Sequence, residues 1–188
     1  MADLDAARET LLAELREHAL VIGEVTLSSG RKAHYYVDAK RALLRPQAYR
    51  AAGELVAAEA AERGATAVGG MTMGADPLAC AAIGADAGDG LVAFFVRKER
   101  KEHGLQRWIE GPELTVGTRC LVVEDVVTTG GSTVRAIERI REEGLEVAGV
   151  TAVVDRLAGG AEAVERAAGA PYRPLLTIDD LYPDRPDR

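Results

Sequence analysis

Residues 119–140 read "RCLVVEDVVTTGGSTVRAIERI", and the order of parts in that stretch sets the architecture. Apolar residues at 120–123 suit a strand covered on both faces. A small-residue turn, "TTGGS", occupies 128–132. Beyond it Val134, Ile137 and Ile140 recur at helical spacing, and Gly144 stands where a helix stops. Strand, turn and helix therefore follow one another directly. Two adjacent carboxylates, Glu124 and Asp125, sit just before the turn.

The turn is built to hold an anion. Thr128, Thr129 and Ser132 offer hydroxyls, Gly130 and Gly131 free backbone N–H groups, and the following helix adds unpaired donors at its positive end. No lysine follows the glycines and no GxGxxG opens a helix, so neither a Walker loop nor a dinucleotide fold is indicated. Two acids beside such a cradle would repel a bare phosphate. As acceptor-only groups they suit vicinal hydroxyls, so Glu124 and Asp125 would bracket a ribose whose terminal phosphate fills the turn. The plain alternative is a pair of strand-end acids that are simply solvated or that cap the next helix.

The same alternation extends outward. Apolar positions Leu4, Leu11, Leu12, Leu15 and Leu20 make a helical stripe, and residues 24–40, "EVTLSSGRKAHYYVDAK", predict a β-hairpin or short β-arm. An alanine-rich helix spans 47–63 before Gly64. Strands are predicted at 65–70, 91–96 and 146–156, with a helix at 75–87 and a short helix and strand-like piece at the end. Residues 97–111, polar and aperiodic, predict a long loop. Strands alternating with helices imply an α/β fold with a mostly parallel, doubly wound sheet, whose ligands sit beyond the carboxyl ends of the strands. The segments starting at Arg97, Glu124 and Asp155 all follow apolar strands, which places them on one rim.

The chain has 188 residues, enough for one domain with a real core, and neither repeats nor low-complexity linkers divide it. A net charge of -7 argues against a general nucleic-acid surface. Against that acidic background Arg97, Lys98, Arg100, Lys101 and Arg107 concentrate positive charge at one place. Such a run is either a solvated face or a receptor for a highly charged anion, and His103–Gly104 within it suggests a hinge. The start is amphipathic rather than a signal peptide, and no apolar run approaches membrane-spanning length, so a cytoplasmic protein is expected. Cys80 and Cys120 read as buried free thiols.

"LVVEDVVTTGGST" at 121–133 resembles the phosphoribosyl pyrophosphate signature of the type I phosphoribosyltransferases. "FFVRKERKEHG" at 94–104 resembles the catalytic loop of the orotate phosphoribosyltransferases, "TLSSGRKAHYYVD" at 26–38 resembles their early arm, and "VVDR" ends in Arg156 where they carry an orotate-contacting arginine. On these motifs the chain is identified as a member of that family. Two departures stand out: Ser28 replaces a common lysine, and "MTMGADP" at 71–77 has no lysine where many members do.

The resemblance implies one domain over 1–188, with residues 1–45 and the C-terminal segment forming a hood and 98–108 a mobile catalytic loop. It implies catalytic roles for Lys101, His103 and Asp125. Phosphoribosyl pyrophosphate would be bound by those three with Arg97, Lys98, Glu124, Val126, Val127, Thr128, Thr129, Gly130, Gly131 and Ser132. Orotate would meet Thr128, Arg156 and Tyr36. Magnesium would be held mainly by the substrate rather than by protein side chains, and the enzyme would be a homodimer sharing its loops. Independently of the family, the fork of Arg156 suits a ring carboxylate, which purines lack. A purine-type transferase, a non-catalytic ribose-phosphate sensor and a receiver-type phosphotransfer domain are the alternatives.

Overall fold

The computed structural model describes residues 3–26, 32–100 and 107–188. Its centre is a six-stranded sheet in the order β5-β4-β3-β6-β7-β8. The strands are β3 (Ala67–Met71), β4 (Val92–Val96), β5 (Ile109–Glu110), β6 (Arg119–Val127), β7 (Glu146–Asp155) and β8 (Leu176–Thr177). All neighbours pair in parallel except β4 and β5. Helices α3 (Pro46–Glu62), α4 (Asp76–Ile83), α5 (Gly131–Glu142) and α6 (Gly160–Ala168) alternate with them. The two-residue β5 lies inside the stretch expected to be wholly loop, and only these two residues find partners on β4.

The five parallel strands, counted in chain order, lie 2-1-3-4-5. The winding direction therefore reverses between β3 and β6, and a crevice opens beyond their carboxyl ends. β3, "AVGGM", is buried throughout despite two glycines that would weaken an ordinary central strand. Close packing explains them. A Cβ on Gly69 would lie 2.7 Å from the Phe94 ring, so that ring occupies the space a side chain would need.

Apolar side chains cover both faces of the sheet. Leu121 and Val123 of β6 join Leu11, Leu15, Val56 and Leu78 on one face, while Val122 joins Phe94, Ile137, Ile140 and Val164 on the other. The second face is where α5 presents Ile137 and Ile140, as their spacing predicts.

Over the first face lie α1 (Leu4–His18), the antiparallel pair β1 (Leu20–Thr26) and β2 (Lys32–Val37), the short α2 (Lys40–Leu43), and α7 (Ile178–Leu181). Asp3 caps α1 by accepting from the Ala6 N–H at 3.1 Å. Arg8 ties that helix to the C-terminal segment through the Leu175 carbonyl, 3.2 Å away, and the Asp180 carboxylate, 3.3 Å away. Cys120 is buried, but Cys80 is only half-buried, a correction to the expectation for that thiol. Among the described residues no helix is long and apolar enough to cross a membrane.

Candidate active site

Alternation along β6 decides what the two acids face. Successive strand residues point to opposite sides, so Glu124 follows Val122 toward α5 and Asp125 follows Val123 toward the N-terminal layer. Glu124 accepts from Thr133 Oγ1 of α5 at 3.1 Å. Asp125 Oδ2 accepts from Lys40 Nζ at 2.9 Å, while its Oδ1 accepts from the Val126 N–H at 2.9 Å. The divergence lets two adjacent carboxylates be buried without sharing a partner.

Both acids still reach the crevice. Lys40, Thr72, Lys98, Glu124, Asp125 and Ser132 line a cavity of about 210 Å³ at the point where the winding reverses. The turn after β3 forms its other wall. A Cβ on Gly74 would lie 2.6 Å from Asp125 Oδ1 and 3.0 Å from Glu124 Oε1, so the bare backbone there packs against the carboxylates. Thr72 Oγ1 donates to Asp76 Oδ2 at 2.7 Å, and the Thr72–Met73 peptide is cis.

Lys40 had no part in the sequence reading. Its ammonium also lies 3.2 Å from Asp38 Oδ1. Burial works against its charge, but the Asp125 and Asp38 carboxylates outweigh that and hold its pKa above the ordinary lysine range. The segment 71–77 offers no lysine, and Ser28 lies outside the described residues. A cation nevertheless enters the crevice, from α2.

Burial, then the neighbouring Asp125 charge, pushes the Glu124 pKa from 4.5 up to about 7. The native state thus binds this proton more tightly than the unfolded chain does. Its stabilising effect is complete below about pH 4.5 and is lost as pH rises through about 7. A rise of that size corresponds to roughly 3 kcal/mol. Glu124→Gln keeps the acceptor for Thr133 and removes the charge. Its melting temperature is expected to climb above the parent's progressively between pH 5 and pH 8 in paired thermal melts. A difference that stays flat across that range would contradict this account.

The turn follows directly. Val127 is buried and Val126 half-buried, closing the strand. Thr128 and Ser132 are half-buried, while Thr129 and Gly131 are exposed. Gly130 is the N-cap of α5 at φ 76°, a left-handed conformation that favours glycine, and no side chain caps the helix there. The first N–H groups of a twelve-residue helix are thus left to the crevice.

Arg156 leaves β7 with its N–H bonded to the Val127 carbonyl at 2.9 Å. Asp155, buried behind it, accepts from the Leu157 N–H at 2.7 Å and so shapes that bend. The guanidinium of Arg156 lies over the Tyr35 ring, 4.8 Å from its centroid. Its buried Nε has no hydrogen-bond partner among the described residues. The ring beside Arg156 is therefore Tyr35, which also meets Tyr182 edge-on at 5.6 Å, whereas Tyr36 points to the opposite side of the strand and is 39% exposed. Arg97 pairs with Glu110 at 3.0 Å, and Lys98 lines the acid cavity. Lys101 and His103 lie outside the described residues.

Known proteins resemble this chain over nearly its whole length. Residues 46–167 match the family model described as phosphoribosyl transferase domain. An orotate phosphoribosyltransferase of Corynebacterium glutamicum is 53% identical over 175 residues, covering 93% of this chain and 94% of its own. A crystal structure of the Mycobacterium tuberculosis orotate phosphoribosyltransferase in complex with Fe(III) dicitrate superposes with a TM-score of 0.84 at 47% identity, covering 94% of this chain and 99% of that one. The same enzyme in complex with 5-phospho-alpha-D-ribosyl 1-diphosphate gives a TM-score of 0.79 at 43% identity, covering 93% and 98%.

Proposed function

We infer the working of this site from one premise: the chain belongs to the orotate phosphoribosyltransferases of the phosphoribosyltransferase family. It transfers ribose 5-phosphate from phosphoribosyl pyrophosphate to orotate, giving orotidine 5′-phosphate and pyrophosphate, a step of pyrimidine nucleotide synthesis. One observation carries the reading of the site. The acid pair and the start of α5 border the same crevice, with Glu124, Asp125 and Ser132 all lining it.

In this reading Asp125 and Glu124 accept the ribose hydroxyls, and the turn at 128–132 binds the 5′-phosphate. The sugar keeps the phosphate away from the carboxylates. As pyrophosphate departs, positive charge grows on the sugar ring, and the neighbouring acids favour it. Lys40, Lys98 and Arg97 meet the negative leaving group, and the resemblance adds Lys101 and His103. Val126 and Val127 shape the floor beneath the sugar. Arg156 grips the orotate carboxylate, with Thr128 beside the base; Tyr35 rather than Tyr36 is the ring on that side. The protein supplies positioning and electrostatics and no nucleophile of its own.

The site suits magnesium carried in by the substrate. Two buried carboxylates offer hard oxygen ligands at the crevice. When bound, such an ion would supply neutralisation of pyrophosphate charge. Glu124 and Asp125 are the residues that would face it.

The deciding assay follows orotate absorbance with phosphoribosyl pyrophosphate and magnesium, beside hypoxanthine and adenine. Orotate consumption alone is expected; turnover of a purine without orotate would overturn the choice of base. Gly130→Ala tests the turn. A Cβ there would lie 2.8 Å from Val164 Cγ2 and 2.9 Å from the Gly160 carbonyl, in a backbone conformation that alanine rarely adopts. The variant should lose about 1–3 kcal/mol in denaturant unfolding and bind ribose 5-phosphate more weakly; unchanged values for both would contradict the role of the turn.

We further propose a cytoplasmic homodimer in which the basic segment of one protomer completes its partner's site. The family resemblance supports this. Mixing Lys101→Ala with Asp125→Asn subunits should restore activity in hybrids, and no recovery would oppose loop sharing.

A further inference from the structure

Arg139, in the last turn of α5, aims both terminal nitrogens of its guanidinium at the chain leaving β4. Nη1 donates to the Arg97 carbonyl, and Nη2 donates to the Lys98 carbonyl at 2.8 Å. Nη1 also approaches Met71 Sδ at 3.4 Å. The plane of the group lies over the Trp108 ring, 4.2 Å from its centroid. Two neighbours on the helix hold the same tryptophan: Glu143 accepts from its backbone N–H at 2.8 Å, and Glu142 accepts from its indole N–H at 2.6 Å. Arg97 N–H closes the two ends together by donating to the Trp108 carbonyl at 2.9 Å.

A solvated arginine on a helix face would keep its rotamer freedom. Here that freedom is given up for contacts with the chain leaving β4 and the chain entering β5. The chemistry requires arginine. A planar fork can donate to two successive carbonyls while its face stacks on an indole, and a lysine ammonium can match neither geometry. The consequence reaches the crevice through Lys98, whose carbonyl Arg139 holds and which lines the cavity with Glu124, Asp125 and Ser132. The opposite end of the same helix closes the phosphate turn.

We propose that Arg139 is a positioning residue: by holding the Arg97 and Lys98 carbonyls against Trp108, it sets where Lys98 meets the pyrophosphate end of the substrate. This rests on the functional reading above. Arg139 touches no reacting atom, so its effect appears in turnover rather than in ribose-phosphate binding.

The protein's single tryptophan is Trp108, so its emission reports the surroundings of that one ring, where Arg139 at 4.2 Å is the nearer of two guanidinium groups and Arg100 lies at 5.6 Å. In the full-length enzyme Arg139→Gln should lower kcat by about 10- to 100-fold, shift Trp108 emission, and leave the Kd for ribose 5-phosphate within about twofold. Arg139→Lys should resemble Arg139→Gln, because a point charge cannot replace the fork. Trp108→Phe should lower kcat similarly, and the double variant should lose little more than the larger single loss, since both remove one unit. Wild-type kcat in Arg139→Gln, or unchanged Trp108 emission, would overturn the proposal. So would additive losses in the double variant, or parallel falls in kcat, ribose 5-phosphate affinity and melting temperature. A wild-type enzyme that binds ribose 5-phosphate but never consumes orotate would refute the functional reading itself, a result visible without any variant.

Discussion

Asp125→Asn is expected to fold normally and to lose about a hundred- to a thousandfold in kcat/KM with orotate, the loss typical of removing one preorganised electrostatic group. Asparagine keeps an acceptor for the Val126 N–H, so the local backbone has no reason to move. The charge, however, is gone. If the amide turns its NH₂ toward Lys40 Nζ, which Asp125 Oδ2 now meets at 2.9 Å, a donor faces a donor. Lys40 would then lean on Asp38 alone, leaving an ammonium unbalanced in the crevice. The ribose would lose an ionic acceptor for a hydroxyl, and the developing positive charge on its ring would lose a nearby negative one. Steady-state kinetics beside a thermal melt separates these effects from unfolding. A loss below about tenfold with an unchanged melting temperature would mean that Asp125 is a structural partner of Lys40 and little else.

Arg156→Lys is expected to cost about a hundredfold in kcat/KM for orotate while leaving the KM for phosphoribosyl pyrophosphate nearly unchanged. The argument begins with an imbalance in the protein. A buried donor without a partner is costly, and Arg156 Nε is such an atom among the described residues. The rest of the residue is well held, its backbone N–H by the Val127 carbonyl and its guanidinium by the Tyr35 face beneath it. A ring carboxylate would satisfy the fork with two parallel charge-assisted bonds. Lysine retains the charge but offers neither the fork nor the flat stacking surface. Varying each substrate in turn reads the split. An equal rise in both KM values would place Arg156 in general packing rather than in base recognition.

Much of this site is legible along the chain because its parts are local. The acids, the turn and α5 are consecutive in sequence, and apolar strands before 97, 124 and 156 put three functional segments on one rim. The side of the sheet that each acid faces follows from simple alternation. What stays hidden depends on contacts between distant segments. Lys40 sits on a four-residue helix too short to carry a periodic signal, and it meets Asp125 across 85 positions of chain. The pair Tyr35 and Tyr36 announces that one ring faces inward, but the docking of β1 and β2 on the sheet decides which. Arg139 looks like any basic residue in the last turn of a helix. Only the return of the chain at Trp108 gives its guanidinium a purpose. The two-residue β5 is invisible for a related reason, since its pattern exists only against β4.

Crystals grown with ribose 5-phosphate offer the most direct check on the site as a whole. The sugar hydroxyls should lie within hydrogen-bond reach of Asp125 and Glu124, Lys40 should be displaced from Asp125 or shared with the ligand, and the phosphate should accept N–H bonds from the turn at 130–132. A ligand bound elsewhere, with Lys40 still on Asp125 and the start of α5 facing only water, would contradict the account at its centre.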